Sequence, residues 1–153
     1  FLGKTREKNT RDLPIGGGRG FTADPDEQKR HVDGFAAWTG LARERLQILY
    51  ERYGSRTEAL ATFIKRAEDA PLKSLPDYSR REIVFLAQNE KTVHLDDLIL
   101  RRSMLAMLGQ LTRPVLDELA DTLGDALGWD ESQKQAEVMR TLELLATRHA
   151  VRL

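Results

Sequence analysis

Cysteine is absent from the 153 residues. That excludes a disulfide framework, a thiolate metal site and a thiol nucleophile, and it fits a cytoplasmic setting. An excess of either charge is lacking too. Lys plus Arg and Asp plus Glu each number 24, so the formal net charge is zero. No long-range field would draw such a chain to nucleic acid or to an anionic membrane. No apolar run approaches the ~20 residues that a membrane-spanning helix needs, and no signal-peptide pattern opens the chain. Histidine occurs three times, as His31, His94 and His149. They are far apart and none sits in a ligand-pair spacing such as HExxH, so no metal site is expected. Gly16-Gly-Gly-Arg-Gly20 lacks the GxxxxGK[ST] pattern of a phosphate loop. No GxSxG nucleophile signature is present either. The residues alone give no self-contained catalytic site.

What is present is helical. Hydrophobic residues make up 41% of the chain, enough for a core, and the length suits one domain. Residues 1–22 read as a linker or extended arm, basic first and then glycine-rich around Pro14. Its apolar positions, Phe1, Leu2, Leu13, Ile15 and Phe21, are spaced to dock on something. Residues 23–153 read as the helical domain itself. Asp24 with Pro25 predicts one helix start, running to about Ala37. Thr39 predicts the next, with Gly54 as its stop. Ser55 opens a third, and Pro71 and Pro76 bracket an irregular connection. Ser79 and Glu82 form a capping-box pattern ahead of a fourth. Pro114 and Asp130 open two more, with Gly128 between them. No strand ladder is expected. The fold class is all-α: a single compact domain of about six to seven helices with an extended N-terminal arm. The chain opens on Phe rather than Met, which favours a fragment.

The most unusual stretch is His94-Leu-Asp-Asp-Leu-Ile-Leu-Arg-Arg102. At about 100° per residue it forms a helix on which Leu95, Leu98, Ile99, Leu105 and Ala106 make one apolar stripe. Arg102 falls inside that stripe, and a guanidinium there needs a carboxylate, a carbonyl or solvent. Leu100, Met104 and Met107 make a second apolar patch on the far side. Asp97 and Arg101 are four apart, in the favourable acid-before-base order. His94 reads as a cap or boundary residue rather than a base. The short link before this helix could pass for a helix-turn-helix, but Leu-Asp-Asp-Leu-Ile stands where base-reading residues belong. DNA binding is therefore disfavoured.

Val93-His-Leu-Asp-Asp-Leu-Ile-Leu-Arg-Arg-Ser103 also resembles a signature in the C-terminal helical domain of FAD-dependent glycerol-3-phosphate dehydrogenases. Thr122-Leu-Gly-Asp-Ala-Leu-Gly-Trp-Asp130, with Lys134 and Glu137 after it, is similar to that family's terminal helices. Asp12-Leu-Pro-Ile-Gly-Gly17 resembles its "LPGG" entry into the helical cap, and Tyr50-Glu-Arg-Tyr-Gly-Ser55 its "YG(T/S)" turn. Ser103 stands where the family usually has Thr. The resemblance covers most of residues 12–150. It implies a parent enzyme that oxidises glycerol 3-phosphate to dihydroxyacetone phosphate, reduces FAD and passes electrons to quinone at the membrane. The cofactor would be held upstream of Phe1 and none by this chain. The resemblance carries over no catalytic, cofactor-binding or metal residue. His94, Asp97, Arg101 and Arg102 become candidate structural or interdomain residues. The expected partner is an upstream flavin domain of the same polypeptide, with self-association open, no nucleic acid, and membrane contact only through the parent. The expected location is cytoplasmic, the parent peripheral on the membrane's cytoplasmic face. A free-standing helical interaction module is the alternative.

Overall fold

The computed structural model describes Leu13 and residues 18–153. Most of the expected arm, including Gly16 and Gly17 of its glycine run, lies outside the described residues. Among them the secondary structure is helical, and the extended pairing is a bridge between Pro71 and Ser79. The all-α expectation holds. The chain divides into two compact units, residues 1–62 and 63–153, with the boundary inside the third helix.

The first unit is built on α1 (Pro25–Thr39) and α2 (Arg43–Tyr53). Asp24 caps α1 as its sequence predicts, accepting from the Asp26 N–H at 2.8 Å and the Glu27 N–H at 3.3 Å. Two donors that the helix cannot satisfy internally are thereby paired. Gly40 stops α1 in the left-handed region at φ 75°, its N–H reaching the Ala36 carbonyl. Thr39 does not cap the following helix. It is the last residue of α1, its hydroxyl donates to the Phe35 carbonyl at 2.6 Å, and α2 starts at Arg43 without a side-chain cap. Val32, Leu46, Tyr50 and Ala61 form the core, with Phe35, Ala36 and Leu41 partly buried against it. The buried Tyr50 hydroxyl lies 3.1 Å from His31 Nδ1. Phe21 stacks on the Tyr50 ring at 5.4 Å, so one apolar position of the expected arm docks on this unit. A 3-10 turn (Gly54–Arg56) then leads to α3 (Thr57–Lys65), two residues later than Ser55 suggests.

The second unit opens with an irregular connection, as the two prolines predict. Its backbone is closed by hydrogen bonds from Leu72 N–H to the Tyr78 carbonyl and from Arg80 N–H to the Ala70 carbonyl. Glu118, on a later helix, accepts the Lys73 and Ser74 N–H groups at 2.7 Å each, one per carboxylate oxygen. Arg81 sits over the Phe63 ring at 4.2 Å and donates twice to the Phe63 carbonyl. It thereby fastens the start of this unit to α4 (Arg80–Asn89). Ser79 caps α4 by accepting the Glu82 N–H.

Next comes α5 (Leu95–Asp97), which passes directly into a π-helical turn (Leu98–Arg102). The single regular helix expected from His94 to Met107 is not formed. The Ser103 hydroxyl donates to the Leu98 carbonyl at 2.8 Å and its backbone is extended, so the helix ends there. A hydrogen-bonded turn follows, closed by Leu108 N–H to the Met104 carbonyl and Gln110 N–H to the Leu105 carbonyl. The widened turn changes which side chains face inward. Leu95, Leu98, Ile99 and Leu105 are still fully buried, whereas Arg102 leaves the stripe and Met104 and Met107 are exposed.

α6 (Arg113–Leu127) and α7 (Glu131–His149) complete the unit. α6 packs on both α4 and α7, and α5 touches α6 and α7. Val115, Leu116, Leu119, Ala120 and Leu123 are the buried stripe of α6, the spacing its sequence predicts. Gly128 stops α6 at φ 75°, and Asp130 and Gln133 form a reciprocal capping box on α7. The α6–α7 corner closes on Gly124. A Cβ there would meet Lys134 Cγ at 2.8 Å and the Trp129 ring at 3.1 Å. Lys134 lies across this glycine to reach Asp125 and Glu131, both at 2.8 Å.

Glycine inside a helix ordinarily costs about 1 kcal/mol relative to alanine. Gly124→Ala should nevertheless destabilise the chain, by about 1 kcal/mol net, because overpacking typically costs 1–3 kcal/mol. Urea denaturation checks it. A gain in stability would show that the corner can open at no cost.

Candidate functional site

The titratable residues concentrate where the start of α5 meets the middle of α7. His94 occupies the N-cap position of α5 with extended backbone. The first turn of α5 leaves backbone N–H groups with no helical partner. Asp97 Oδ2 accepts two of them, Val93 N–H at 3.2 Å and His94 N–H at 3.1 Å. Its other oxygen accepts from Arg101 at 2.8 Å, the pair expected from the four-residue spacing. Burial pulls the Asp97 carboxyl upward. The two backbone hydrogen bonds and the Arg101 charge outweigh that and hold it below its usual value.

Glu137 reaches this turn from α7. Its Oε1 accepts from His94 Nδ1 at 2.9 Å, and its Oε2 from the Leu95 N–H at 3.0 Å. Arg140, one turn on, donates to Asp96 and lies 3.6 Å from Glu137. Asp96 and Glu137 are largely buried, while His94 and Arg140 are less than half exposed. The hydrogen bond that Arg140 donates to the Asp96 carboxylate raises its guanidinium pKa above the ordinary value.

His94, Asp96 and Glu137 bring three ligand-type atoms within 4.8 Å of one another, which raises the question of a cation. The donor set does not fit one. Each Glu137 oxygen is engaged, one by His94 and one by the Leu95 backbone, and Asp96 is taken by Arg140. The arginine fills the place a metal would need, and a metal would have to expel it. Chemically the arrangement is a latch that holds the start of α5 against α7. Among the described residues no strand precedes a glycine loop and helix, the arrangement on which a dinucleotide-binding fold is built.

The four candidate residues are therefore placed as follows. His94 and Asp97 belong to the latch, and Arg101 extends it outward, 69% exposed. Arg102 stands apart. It lies 3.7 Å from Glu90 at the end of α4 and is itself exposed, so its acid partner is internal to the unit. Sequence reasoning did not find Glu137 as the partner of His94 or Arg140 as the partner of Asp96, nor Glu118 as the anchor of residues 73 and 74. These pairings span more than 40 residues, and a lone glutamate on a helix face carries no signal of its target.

Comparison with known proteins gives this geometry a setting. Residues 8–134 match the family model described as the C-terminal domain of alpha-glycerophosphate oxidase. That range contains α1 to α6 and the whole His94–Arg102 stretch. A glycerol-3-phosphate dehydrogenase of Mycobacterium leprae (strain TN) is 30% identical over 111 residues, which is 70% of this chain and 19% of that protein. The chain thus spans about a fifth of the length of the relative it matches.

Two outcomes follow from the latch. Glu137→Ala strips the partner from the Leu95 N–H and from His94, and should cost about 2–3 kcal/mol, since hydrogen bonds to charged groups are worth about 1.5–3 kcal/mol. A loss under about 0.5 kcal/mol on chemical denaturation, the ordinary range for a surface change, would show that the latch contributes nothing. The second concerns pH. Burial raises Glu118 too, but the Ser74 and Lys73 hydrogen bonds hold its carboxyl below the usual value, as they do for Asp97 by other donors. Groups whose folded pKa is depressed add stability that is complete above their unfolded pKa, about 4, and is lost as pH falls through the folded value. The double variant Asp97→Asn/Glu118→Gln should therefore show a shallower decline in stability below about pH 4 than the parent chain. Parallel acid limbs in a series of denaturation curves would disprove it.

Proposed function

Because this chain belongs to the family of the C-terminal domain of alpha-glycerophosphate oxidase, we propose that it is the helical C-terminal domain of an FAD-dependent, quinone-linked glycerol-3-phosphate dehydrogenase. The parent would oxidise the C2 alcohol of glycerol 3-phosphate to the ketone of dihydroxyacetone phosphate. FAD would be the first electron acceptor and quinone the next. The flavin and the substrate belong, on this reading, to an upstream part of the polypeptide, and residues 1–22 are the passage from it. The role left to residues 23–153 is packing and assembly. The parent is read as cytoplasmic and peripheral on the membrane face. No helix among the described residues is long and apolar enough to cross a membrane.

One observation supports the non-catalytic role most directly. The acids and bases gathered at α5 and α7 are turned on one another and on backbone groups. A general base must be able to reach a substrate proton, and Glu137 and Asp96 have no such reach while the latch is closed.

The test uses the whole reading frame. The full protein should purify yellow and reduce an artificial electron acceptor when given glycerol 3-phosphate. The 153-residue chain should purify colourless and leave the acceptor oxidised. Stoichiometric flavin on the short chain would refute the division of labour. A reading frame that starts within a few residues of Phe1 would refute the parent enzyme and leave the interaction-module alternative.

A further inference from the structure

Of the 19 residues of α7, the buried ones are Val138, Thr141 and Leu145. At 100° per residue, Ala136, Met139, Glu143 and Ala146 fall on one stripe, about 140° around the helix from those three. Their spacing of three, four and three is that of a seam between paired helices. Met139 is 60% exposed, and the other three are exposed as well. The stripe lies along a shallow depression of about 850 Å³, whose walls also include Arg140, Leu142, Arg152 and Leu153. These walls carry both signs of charge. Arg140 gives an N–H to Asp96, which leaves other donors of its guanidinium unspent. The Glu143 carboxylate has no hydrogen-bond or ionic partner among the described residues.

We propose that this face seats a second copy of the chain, with the two α7 helices antiparallel about a two-fold axis beside position 141. In that register Ala136 meets Ala146 of the second copy, and Met139 meets Glu143 of the second copy. A two-fold axis makes each contact twice. The alanines let the helix axes approach to about 8 Å. Glu143 of the second copy then brings its carboxylate level with Arg140, and the acid that lacked a partner gains one. Three observations select this occupant. The face carries its own complement, an acid and a cation three positions apart on one exposed surface, as a self-pairing contact requires. The formal net charge of the chain is zero, so no general repulsion opposes the meeting of two copies. An anionic bilayer, by contrast, would meet the exposed Glu143 carboxylate in the middle of the face.

Sedimentation velocity on the full-length protein tests it, and the expected species is a dimer. Met139→Glu sets an acid against Glu143 of the second copy, and Glu143→Arg sets a cation beside its Arg140. Each change alone should weaken the dimer at least about tenfold, because like charges brought together are costly. The double variant Met139→Glu/Glu143→Arg pairs the new acid with the new cation across the axis. It should return the affinity to within about threefold of the parent, the coupling expected of residues in contact. Both positions are exposed, so the fold tolerates either change. A full-length protein that stays monomeric as its concentration rises overturns the proposal. A dimer that neither single change weakens, or that the double variant does not restore, overturns it too. A monomer in which residues 136–146 are protected from hydrogen exchange assigns the face to an upstream part of the polypeptide. Binding to vesicles of phosphatidylserine and phosphatidylcholine that Met139→Glu abolishes assigns it to a membrane. Either result overturns the proposal, and none of these outcomes bears on the parent enzyme.

Discussion

One carboxylate, Glu137, fixes how the middle of the second unit is arranged. Its two oxygens take a backbone donor and a side-chain donor from the same turn, the Leu95 N–H and His94 Nδ1. That turn is only three helical residues long before it widens. Helices this short have no cooperative stability of their own. Their position must come from outside, and here it comes from α7. Once the Leu95 N–H is held, Leu95, Leu98 and Ile99 point into the core, where burying each is worth roughly 1.5–3 kcal/mol. The polar latch therefore sets the register, and the apolar side chains supply most of the energy.

This division also accounts for how the charged cluster spends its hydrogen-bonding capacity. A catalytic group has to meet a ligand, while every oxygen of Glu137 and Asp97 is already answered by a donor in the chain. The family to which the chain belongs is described as a C-terminal domain. Polarity near α5 is thus a matter of assembly.

Much of the fold could be read from the residues because its signals are local. The caps at Asp24, Ser79 and Asp130 each need only a side chain and an N–H two or three residues on. The stripe of α6 needs only regular spacing. Thr39 deceived for an equally local reason: its hydroxyl could serve either helix, and it turned back to the Phe35 carbonyl. Arg102 deceived differently. A rotation of 100° per residue puts it among leucines, but a π-helical turn takes more residues per turn, and nothing in Leu-Ile-Leu-Arg-Arg announces that. The latch was half legible. His94, Asp97 and Arg101 belong to one segment and were readable together, whereas Glu137 and Arg140 come from a helix some 40 residues on. No pattern in one sequence joins them.

The carboxylate of Glu118 carries a consequence of another kind. It secures residues 73 and 74 from a distance of 45 and 44 positions along the chain. Arg81, by contrast, secures Phe63 from only 18. A polypeptide is made from its N-terminus at about 5–20 residues per second. Arg81 is therefore made about 1–4 seconds after Phe63, while Glu118 is made roughly 2–9 seconds after residue 73. Over that interval the hydrophobic Leu72 and Leu75, buried in the finished unit, have no α6 to lie against. Of the two fastenings the loop at residues 73 and 74 is thus the later to close in the growing chain, because it waits for Glu118 to be made.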